Sequence, residues 1–301
     1  MSTLLNNIKN KFTNSIFINE KLSKYSWFNL GGPAEIFFKP KDTEQLSAFL
    51  KSVKGDVNEI NILGAGSNTL IRDGGIKGVT IKLSSKFSYT KILENNLIEV
   101  GAATLDRQVA NFAMQNSLTN LEFLSCIPGS LGGAIVMNSG CYGEDISKVL
   151  NSIKVIDLNG NINVMTKNDI NFSYRGSDLP KNLIILSAKL QGNLSDLSII
   201  SKKQSELIKR KKESQPSRIK TCGSTFKNPD NKKAWQLIKE SSSDKLSVGL
   251  AKISEKHCNF FVNEGGATSS EVEELIYKVK KNVLETTGIK LELEIQVIGN
   301  N

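Results

Sequence analysis

Histidine is almost missing from this chain: His257 is the only one among 301 residues. That removes any mechanism in which one histidine acts beside a second, and with it the histidine-rich zinc sites. The four cysteines, Cys126, Cys141, Cys222 and Cys258, stand far apart and form no C-x-x-C. Neither a disulfide framework nor a bound metal is expected. Proline is scarce, at 6 residues, and charged residues make up 23%, so collagen-like structure and wholesale disorder are excluded. No apolar run comes near the roughly 20 residues that cross a bilayer. The opening stretch from Met1 to Lys11 has no apolar core and no small-residue cleavage site. A cytoplasmic protein with no membrane partner is expected.

What remains is an ordinary globular composition, long enough for about two domains. Bases outnumber acids, 39 to 30, for a net charge of +9. The excess is concentrated in residues 201–220. Lys202, Lys203, Lys209, Arg210, Lys211, Lys212, Arg218 and Lys220 face only Glu206 and Glu213 there, a local net of +6. A solvated helix end would explain this, and so would attraction of an anionic ligand. The segment lacks the interleaved aromatics of a base-stacking surface, so nucleic acid is not the expected partner.

Apolar spacing predicts helices over 43–54, with Leu46, Phe49 and Leu50 inward, and over 104–116, with Leu105, Val109, Phe112 and Ala113 inward. Two more are expected over 195–212 and 271–286, the last with a stripe of Val272, Leu275, Ile276, Val279 and Val283. Ser270 and Glu273 read as its capping box and Gly288 as its stop. Strands are expected over 59–63, 78–83, 97–100, 152–158 and 183–190, and a strictly alternating one over 291–298. The mixture predicts an α+β protein with a boundary near 193–200.

Five short stretches could carry chemistry. Gly64-Ala65-Gly66-Ser67-Asn68-Thr69-Leu70 follows a strand, and glycines there let backbone N–H groups approach a phosphate. It is neither the dinucleotide fingerprint, whose third glycine would fall on Thr69, nor a Walker loop. A plain strand-to-turn loop would also look like this. Cys126-Ile-Pro128-Gly129-Ser130-Leu-Gly132-Gly133-Ala134 continues to Gly140 with apolar side chains between its glycines. It is either a tight bend in a core or a set of backbone donors for something extended and polar. Two such loops together favour an anionic cofactor with a pyrophosphate. Tyr174-Arg175-Gly176 could aim a guanidinium at a carboxylate or an enolate, or simply make a surface ion pair. Gly223-Ser224 offers a hydroxyl on a turn, followed by Lys227 and Asn228 as anion donors. No histidine neighbours Ser224 to make it a nucleophile, so hydrolase chemistry is not expected. Glu294 shares a predicted strand face with Glu292 and Gln296, by default a solvated one.

In register, these stretches resemble the UDP-N-acetylenolpyruvoylglucosamine reductase (MurB) family of bacterial flavoenzymes. The carriers are Gly64-Ala-Gly-Ser-Asn-Thr-Leu, Ile127-Pro-Gly-Ser-Leu-Gly-Gly-Ala, Tyr174-Arg, Gly223-Ser-Thr-Phe-Lys-Asn-Pro and Leu293-Glu-Ile. Ser26-Trp-Phe-Asn-Leu-Gly-Gly-Pro-Ala matches the family's entry into its flavin domain. The likeness runs from Tyr25 to Gly299. It implies an α+β fold: a segment 1–27, an FAD-binding domain of the PCMH type over 28–193, and a smaller α/β domain over 194–301 that takes the UDP-sugar. It implies non-covalent FAD held by Gly64, Ala65, Gly66, Ser67, Asn68, Leu70, Pro128, Gly129, Ser130, Gly132, Gly133 and Ala134, since His257 lies outside both loops. NADPH would reduce the flavin, whose N5 delivers hydride to the enolpyruvyl methylene carbon of UDP-N-acetylglucosamine enolpyruvate in peptidoglycan precursor synthesis. Ser224 matches the family's proton donor to the adjacent carbon. Arg175 and Glu294 match the pair that stabilises the enolate, with Glu292 the fallback for the acid. Lys227 and Asn228 would lie near the nucleotide diphosphate. With 48 residues between Arg175 and Ser224 and no extra tyrosine-bearing loop, the chain resembles the shorter subclass. A monomer is expected.

The chemistry of the residues agrees. Hydride addition to an enol ether beside a carboxylate sends charge onto that carboxylate, where a cation such as Arg175 acts. A serine hydroxyl is acid enough for so basic a carbanion, and the basic segment would steer an anionic substrate. Two rivals stand beside this reading. One is another PCMH-type FAD oxidoreductase, acting on a hydroxy acid or alcohol without NADPH. The other is a non-enzymatic nucleotide or nucleic-acid binder, which would need neither glycine loop.

Overall fold

The computed structural model describes residues 8–57 and 59–301. Contacts divide the chain into two compact units. Unit 1 comprises the chain up to Ile18, Ile36–Ala65 and Gly78–Lys211; unit 2 comprises Asn19–Glu35, Gly66–Lys77 and Lys212–Asn301. The architecture is the expected mixture of helices and sheets.

Unit 1 is built on an antiparallel five-stranded sheet. Its order is Ile162–Thr166, Leu150–Asp157, Leu183–Gln191, Leu97–Gly101 and Thr90–Ile92. Leu183–Gln191 is buried along most of its length, as a central strand covered on both faces must be. A second sheet has the order Ile16–Lys21, Pro33–Phe38, Ile76–Ile81 and Ile60–Ile62, the last two parallel. The amphipathic helix Thr43–Val53 buries Leu46, Phe49, Leu50 and Val53. Asp42 starts it, its carboxylate accepting from the Gln45 N–H at 2.8 Å. Phe49 stacks on Phe38 with centroids 3.8 Å apart, and Phe12 meets both edge-on. Each such buried ring contributes about 2–3 kcal/mol of apolar burial.

The basic helix spans Leu197–Ser214, and its first fifteen residues belong to unit 1. Two of its lysines have partners. Lys203 reaches the buried carboxylate of Glu122 at 3.1 Å, and Lys211 donates to the Cys126 carbonyl at 2.7 Å. Gln204 donates to Asn111 Oδ1 at 2.8 Å. Part of the charge run therefore anchors the helix. The neighbouring helix begins at Asp106 rather than 104, and Leu105 stands at its N-cap, 39% exposed instead of inward. The residue pairs with Ser130 in an isolated bridge, which holds it out of the helical stripe.

Unit 2 packs the helices Ala234–Glu240 and Ser269–Thr287 with a three-stranded sheet of Ser247–Val248, Ala251–Ile253 and Phe261–Asn263. Val272, Leu275, Ile276, Val279 and Val283 are all buried, as their spacing predicts. Gly288 ends the long helix at φ +69°. Its start differs from expectation. The capping box is Thr268 with Glu271, and Ser270 and Glu273 do other work. Asp73 accepts the N–H groups of Ser269 and Ser270 at 3.0 and 3.1 Å and the Ser270 hydroxyl at 3.2 Å, while Glu273 forms a two-pronged ion pair with Arg72. A carboxylate from a distant segment thus supplies the negative charge that a helix N-terminus favours.

Burial would raise the Asp73 carboxyl, but its hydrogen bonds to Ser269 and Ser270 outweigh that and hold it below the usual value. Stabilisation by a depressed carboxylate is present above the unfolded pKa and is lost as pH falls through the folded pKa. Asp73→Ala should therefore lower stability by about 1 kcal/mol at pH 7, the size of a cap. Urea unfolding should show that gap closing in acid. A gap of the same size at pH 7 and below pH 3 would refute the electrostatic part.

The alternating strand over 291–298 is also shorter than expected. Only Gln296–Ile298 is a strand, pairing in parallel with Thr69–Ile71. Before it the chain bends at Glu294 and Ile295, so Glu292, Glu294 and Gln296 do not share one strand face.

Candidate active site

In unit 1 the first glycine loop approaches the second. A Cβ on Gly64 would stand 3.3 Å from the Ser130 hydroxyl, and Gly64 is itself exposed. Ala65 beside it is half-buried. Ser130 is the N-cap of the short helix Leu131–Val136. The helix is pinned by its first N–H groups: Leu131 donates to the Thr104 carbonyl and Gly132 to the Ala102 carbonyl, each at 2.9 Å. Gly132 allows that approach, since a Cβ there would lie 3.2 Å from the Ala102 side chain. Ala134 is buried beneath, while Pro128 and Gly133 are exposed and the space around Gly133 is open.

Lys82 was not singled out by sequence, yet its ammonium donates to the Gly64 carbonyl. Burial and the nearby Lys39 push it down to about 8. Two closely approaching backbone loops, open on one side and flanked by a lysine, suit a long anionic group. The sequence signal was no more than a lysine just after the apolar strand Ile76–Ile81.

Arg175 is at the tip of a tight hairpin between Phe172–Ser173 and Gly176–Ser177. Its φ is +56°, a left-handed conformation that costs a non-glycine residue about 1 kcal/mol or more and is held by the surroundings. Its Nη2 donates to the Gly140 carbonyl at 2.8 Å, and its guanidinium lies over the Tyr174 ring. The side chain is half-buried and fixed in direction.

In unit 2 the remainder of the first loop, Gly66–Leu70, is hydrogen-bonded to the stretch that holds Glu294, and that stretch in turn to Thr225, the residue after Ser224. Ser224 bridges Phe260, and Phe226 bridges Leu293. The Glu294 N–H donates to the Thr225 carbonyl at 2.9 Å, the Asn68 amide donates to the Glu294 carbonyl at 3.0 Å, and the Gln296 N–H donates to the Asn68 carbonyl at 2.9 Å. Ser67 is half-buried and Leu70 enters the core of the unit. Three segments remote in sequence thus bring Asn68, Ser224 and Glu294 together. Asn259 fixes the central one. Fully buried, it accepts from the Phe226 N–H and donates to the Phe226 carbonyl, while its own carbonyl takes the Thr225 N–H at 2.7 Å. Sequence reasoning missed it. The available signal was a polar residue in the otherwise apolar run Cys258-Asn-Phe-Phe-Val262.

Ser224 and Glu294 are both half-buried, whereas Glu292 is exposed. Lys227 donates its N–H to the Glu292 carbonyl at 2.9 Å. Asn228 accepts the Ala234 N–H at 3.0 Å and so caps the helix that follows. Cys222 gives its thiol to the Thr69 carbonyl at 3.1 Å and is pushed up to about 12 by burial, which makes it a packing residue.

Gly66 is needed for the backbone itself. It adopts φ +70°, and any Cβ would overlap the Tyr25 carbonyl oxygen. Gly66→Ala should cost more than about 2 kcal/mol, from strain and overlap together. Gly64→Ala, with only a rotatable hydroxyl in reach, should cost under about 1 kcal/mol and weaken cofactor binding instead. Thermal melts of the cofactor-free proteins separate the two; equal losses would contradict the model of the loop.

The fold is that of a flavin-binding protein. Residues 34–166 match the family model described as FAD binding domain, and residues 215–298 match the C-terminal domain of UDP-N-acetylenolpyruvoylglucosamine reductase. Proteins of that name from Pelagibacter ubique and from Orientia tsutsugamushi strain Boryong are each 44% identical, over 96% and 93% of this chain and the same shares of theirs. The crystal structure of UDP-N-acetylenolpyruvylglucosamine reductase (MurB) from Thermus caldophilus superposes with a TM-score of 0.81 at 31% identity, covering 94% of this chain and 98% of that one. The chain belongs to the UDP-N-acetylenolpyruvoylglucosamine reductase family.

Proposed function

We propose that this protein is an FAD-containing, NADPH-dependent reductase that converts UDP-N-acetylglucosamine enolpyruvate to UDP-N-acetylmuramate in peptidoglycan precursor synthesis. The observation that carries the reading is the match of both parts of the chain: a flavin-binding family over 34–166 and the reductase's own C-terminal domain over 215–298. FAD, when bound, would supply the hydride chemistry that links NADPH to the enol ether. The functional division that goes with it is a segment 1–27, an FAD-binding domain over 28–193 and a UDP-sugar domain over 194–301.

Gly64, Ala65, Gly66, Ser67, Asn68 and Leu70, with Pro128, Gly129, Ser130, Gly132, Gly133 and Ala134, hold the cofactor non-covalently. The close approach of Gly64 to Ser130 and the Lys82 ammonium support this. Ser224 donates the proton that completes the reduction. Arg175 and Glu294 hold the substrate carboxylate as charge develops on it. Lys227 and Asn228 lie towards the diphosphate, with Asn228 limited to its amide N–H groups by the cap it makes.

The protein acts in the cytoplasm as a monomer, with neither a membrane nor a nucleic acid as partner. No helix among the described residues is long and apolar enough to cross a membrane. The anchoring of Lys203 and Lys211 also takes charge from the basic helix. An anaerobic visible spectrum tests the function. NADPH should bleach the flavin band, and UDP-N-acetylglucosamine enolpyruvate should restore it. A band that stays bleached overturns the substrate; no flavin band after reconstitution with FAD overturns the cofactor.

A further inference from the structure

The hairpin that carries Arg175 is closed by its own residues. Asp178 accepts the Asn171 N–H at 2.8 Å and the Asn171 side-chain amide at 2.6 Å, and its own N–H donates to the Asn171 carbonyl at 3.1 Å. That closure shapes the hairpin without fixing where its tip stands. Placement comes from one short stretch, residues 136–140, at the end of the helix Leu131–Val136. The Ser177 hydroxyl donates to the Val136 carbonyl at 2.9 Å, Arg175 Nη2 to the Gly140 carbonyl at 2.8 Å, and the Asn138 amide to the Ser173 carbonyl at 3.0 Å. Both strands of the hairpin and its tip are thereby tied to that stretch. The Ser177 bond is open to water, whereas Asn138 is only 5% exposed. A buried hydrogen bond is the one that solvent does not replace when it is lost.

Asn138 holds the hairpin from a fixed base. Its Oδ1 accepts the Ser147 N–H at 3.0 Å. Ser147 lies in the helix Ile146–Val149, whose Ile146 and Val149 are buried in the core of unit 1. The Ser139 N–H donates to the Ala134 carbonyl at 2.8 Å, and the Ile146 N–H to the Ser139 carbonyl at 3.1 Å. One orientation of the Asn138 amide serves both of its neighbours, since a carbonyl only accepts and a backbone N–H only donates. Asn138 has φ +41° just past the end of a helix, a left-handed position that suits asparagine for backbone reasons alone. Such a residue needs no side-chain partners, yet both ends of this amide are used.

We propose that Asn138 is a positioning residue for Arg175, aiming the guanidinium from the core of unit 1 through Ser173. Ser173 pairs with Gly176 across the tip, so a shift of the Ser173 carbonyl shifts Arg175 between them. Without the amide bond the guanidinium keeps its charge and loses its direction. This role rests on that proposed for Arg175 at the substrate carboxylate. A group that must meet developing charge loses much of its effect when displaced by about 1 Å.

Asn138→Gly, which tolerates the left-handed backbone and lacks both side-chain bonds, is the test. In stopped flow at matched flavin content, flavin reduction by NADPH should stay within about twofold of the wild type. Reoxidation by UDP-N-acetylglucosamine enolpyruvate should slow by about 10–100-fold. In an Arg175→Ala background the same substitution should cost under about twofold, because no guanidinium is left to aim. Asn138→Asp keeps the acceptor for Ser147 and sets an oxygen against the Ser173 carbonyl. It should behave as Asn138→Gly does, and it decides the matter if the glycine protein does not fold. Slowing of both half-reactions by the same factor, or an undiminished effect without Arg175, overturns the proposal, as does a fall in the melting temperature of the cofactor-free protein with no change in reoxidation. Normal reoxidation in Asn138→Gly beside an impaired Arg175→Ala protein overturns it alone. If Arg175→Ala itself reoxidises normally, the role assigned to Arg175 fails first and this one with it.

Discussion

Ser224→Ala should slow turnover by about 10²–10⁴-fold, the usual contribution of a positioned acid, while NADPH still bleaches the flavin at the wild-type rate. The split arises from the two halves of the reaction. Hydride arriving at the methylene carbon leaves carbanion character on its neighbour, delocalised into the carboxylate, and a proton must then be delivered to that carbon. The chain has one histidine, His257. Burial pushes that side chain down, and it packs edge-on against Phe260. Ser224 has a half-buried hydroxyl on a backbone fixed on both sides, by its bridge to Phe260 and by the Thr225 carbonyl that takes the Glu294 N–H. A neutral hydroxyl there is an acid only towards a strong base, so it leaves the ground state undisturbed. Stopped-flow measurement of flavin reduction and reoxidation separates the steps. If the alanine protein reoxidises within tenfold of the wild type, the proton comes from elsewhere.

Asn259 bears on that test. Its side chain occupies both backbone groups of Phe226, two residues beyond Ser224, so its loss would move the serine without changing its chemistry. Such contacts were not legible in the sequence, because an asparagine in an apolar run has no periodic signature. The same holds for Asp73 at the start of Ser269–Thr287. The local pattern there offered Ser270 and Glu273 as a capping box, and a carboxylate nearly two hundred residues away decided otherwise. What was legible depended on short-range physics. Apolar periodicity located the helices Thr43–Val53 and Ser269–Thr287 and the residues they bury. Glycine spacing located both loops, since close backbone approach needs glycine wherever the fold puts it. Leu105 shows the limit. Its spacing fits the stripe of Asp106–Gln115, but its backbone is taken by the bridge to Ser130.

The choice between Glu292 and Glu294 turns on the same distinction. Alternation over 291–298 would put both acids on one face and make them equivalent. The chain instead bends at Glu294, whose N–H is held by the Thr225 carbonyl and whose carbonyl is held by the Asn68 amide. Both backbone groups of Glu294 are thereby fixed to segments that belong to the proposed site, whereas Glu292 is exposed. Glu294→Gln, which keeps the shape and removes the charge, should lower turnover by about 10²–10³-fold, as loss of a preorganised electrostatic contact does. Glu292→Gln should stay within about twofold, the range of an exposed substitution. Steady-state rates of the two proteins, each at matched flavin content, settle the assignment: a defect in Glu292→Gln with Glu294→Gln intact would move the role by two residues. The bend would then be a packing feature. The opposite result ties the acid's function to the break in the strand, because only a chain that leaves the alternating register at Glu294 can separate two glutamates that the sequence makes alike.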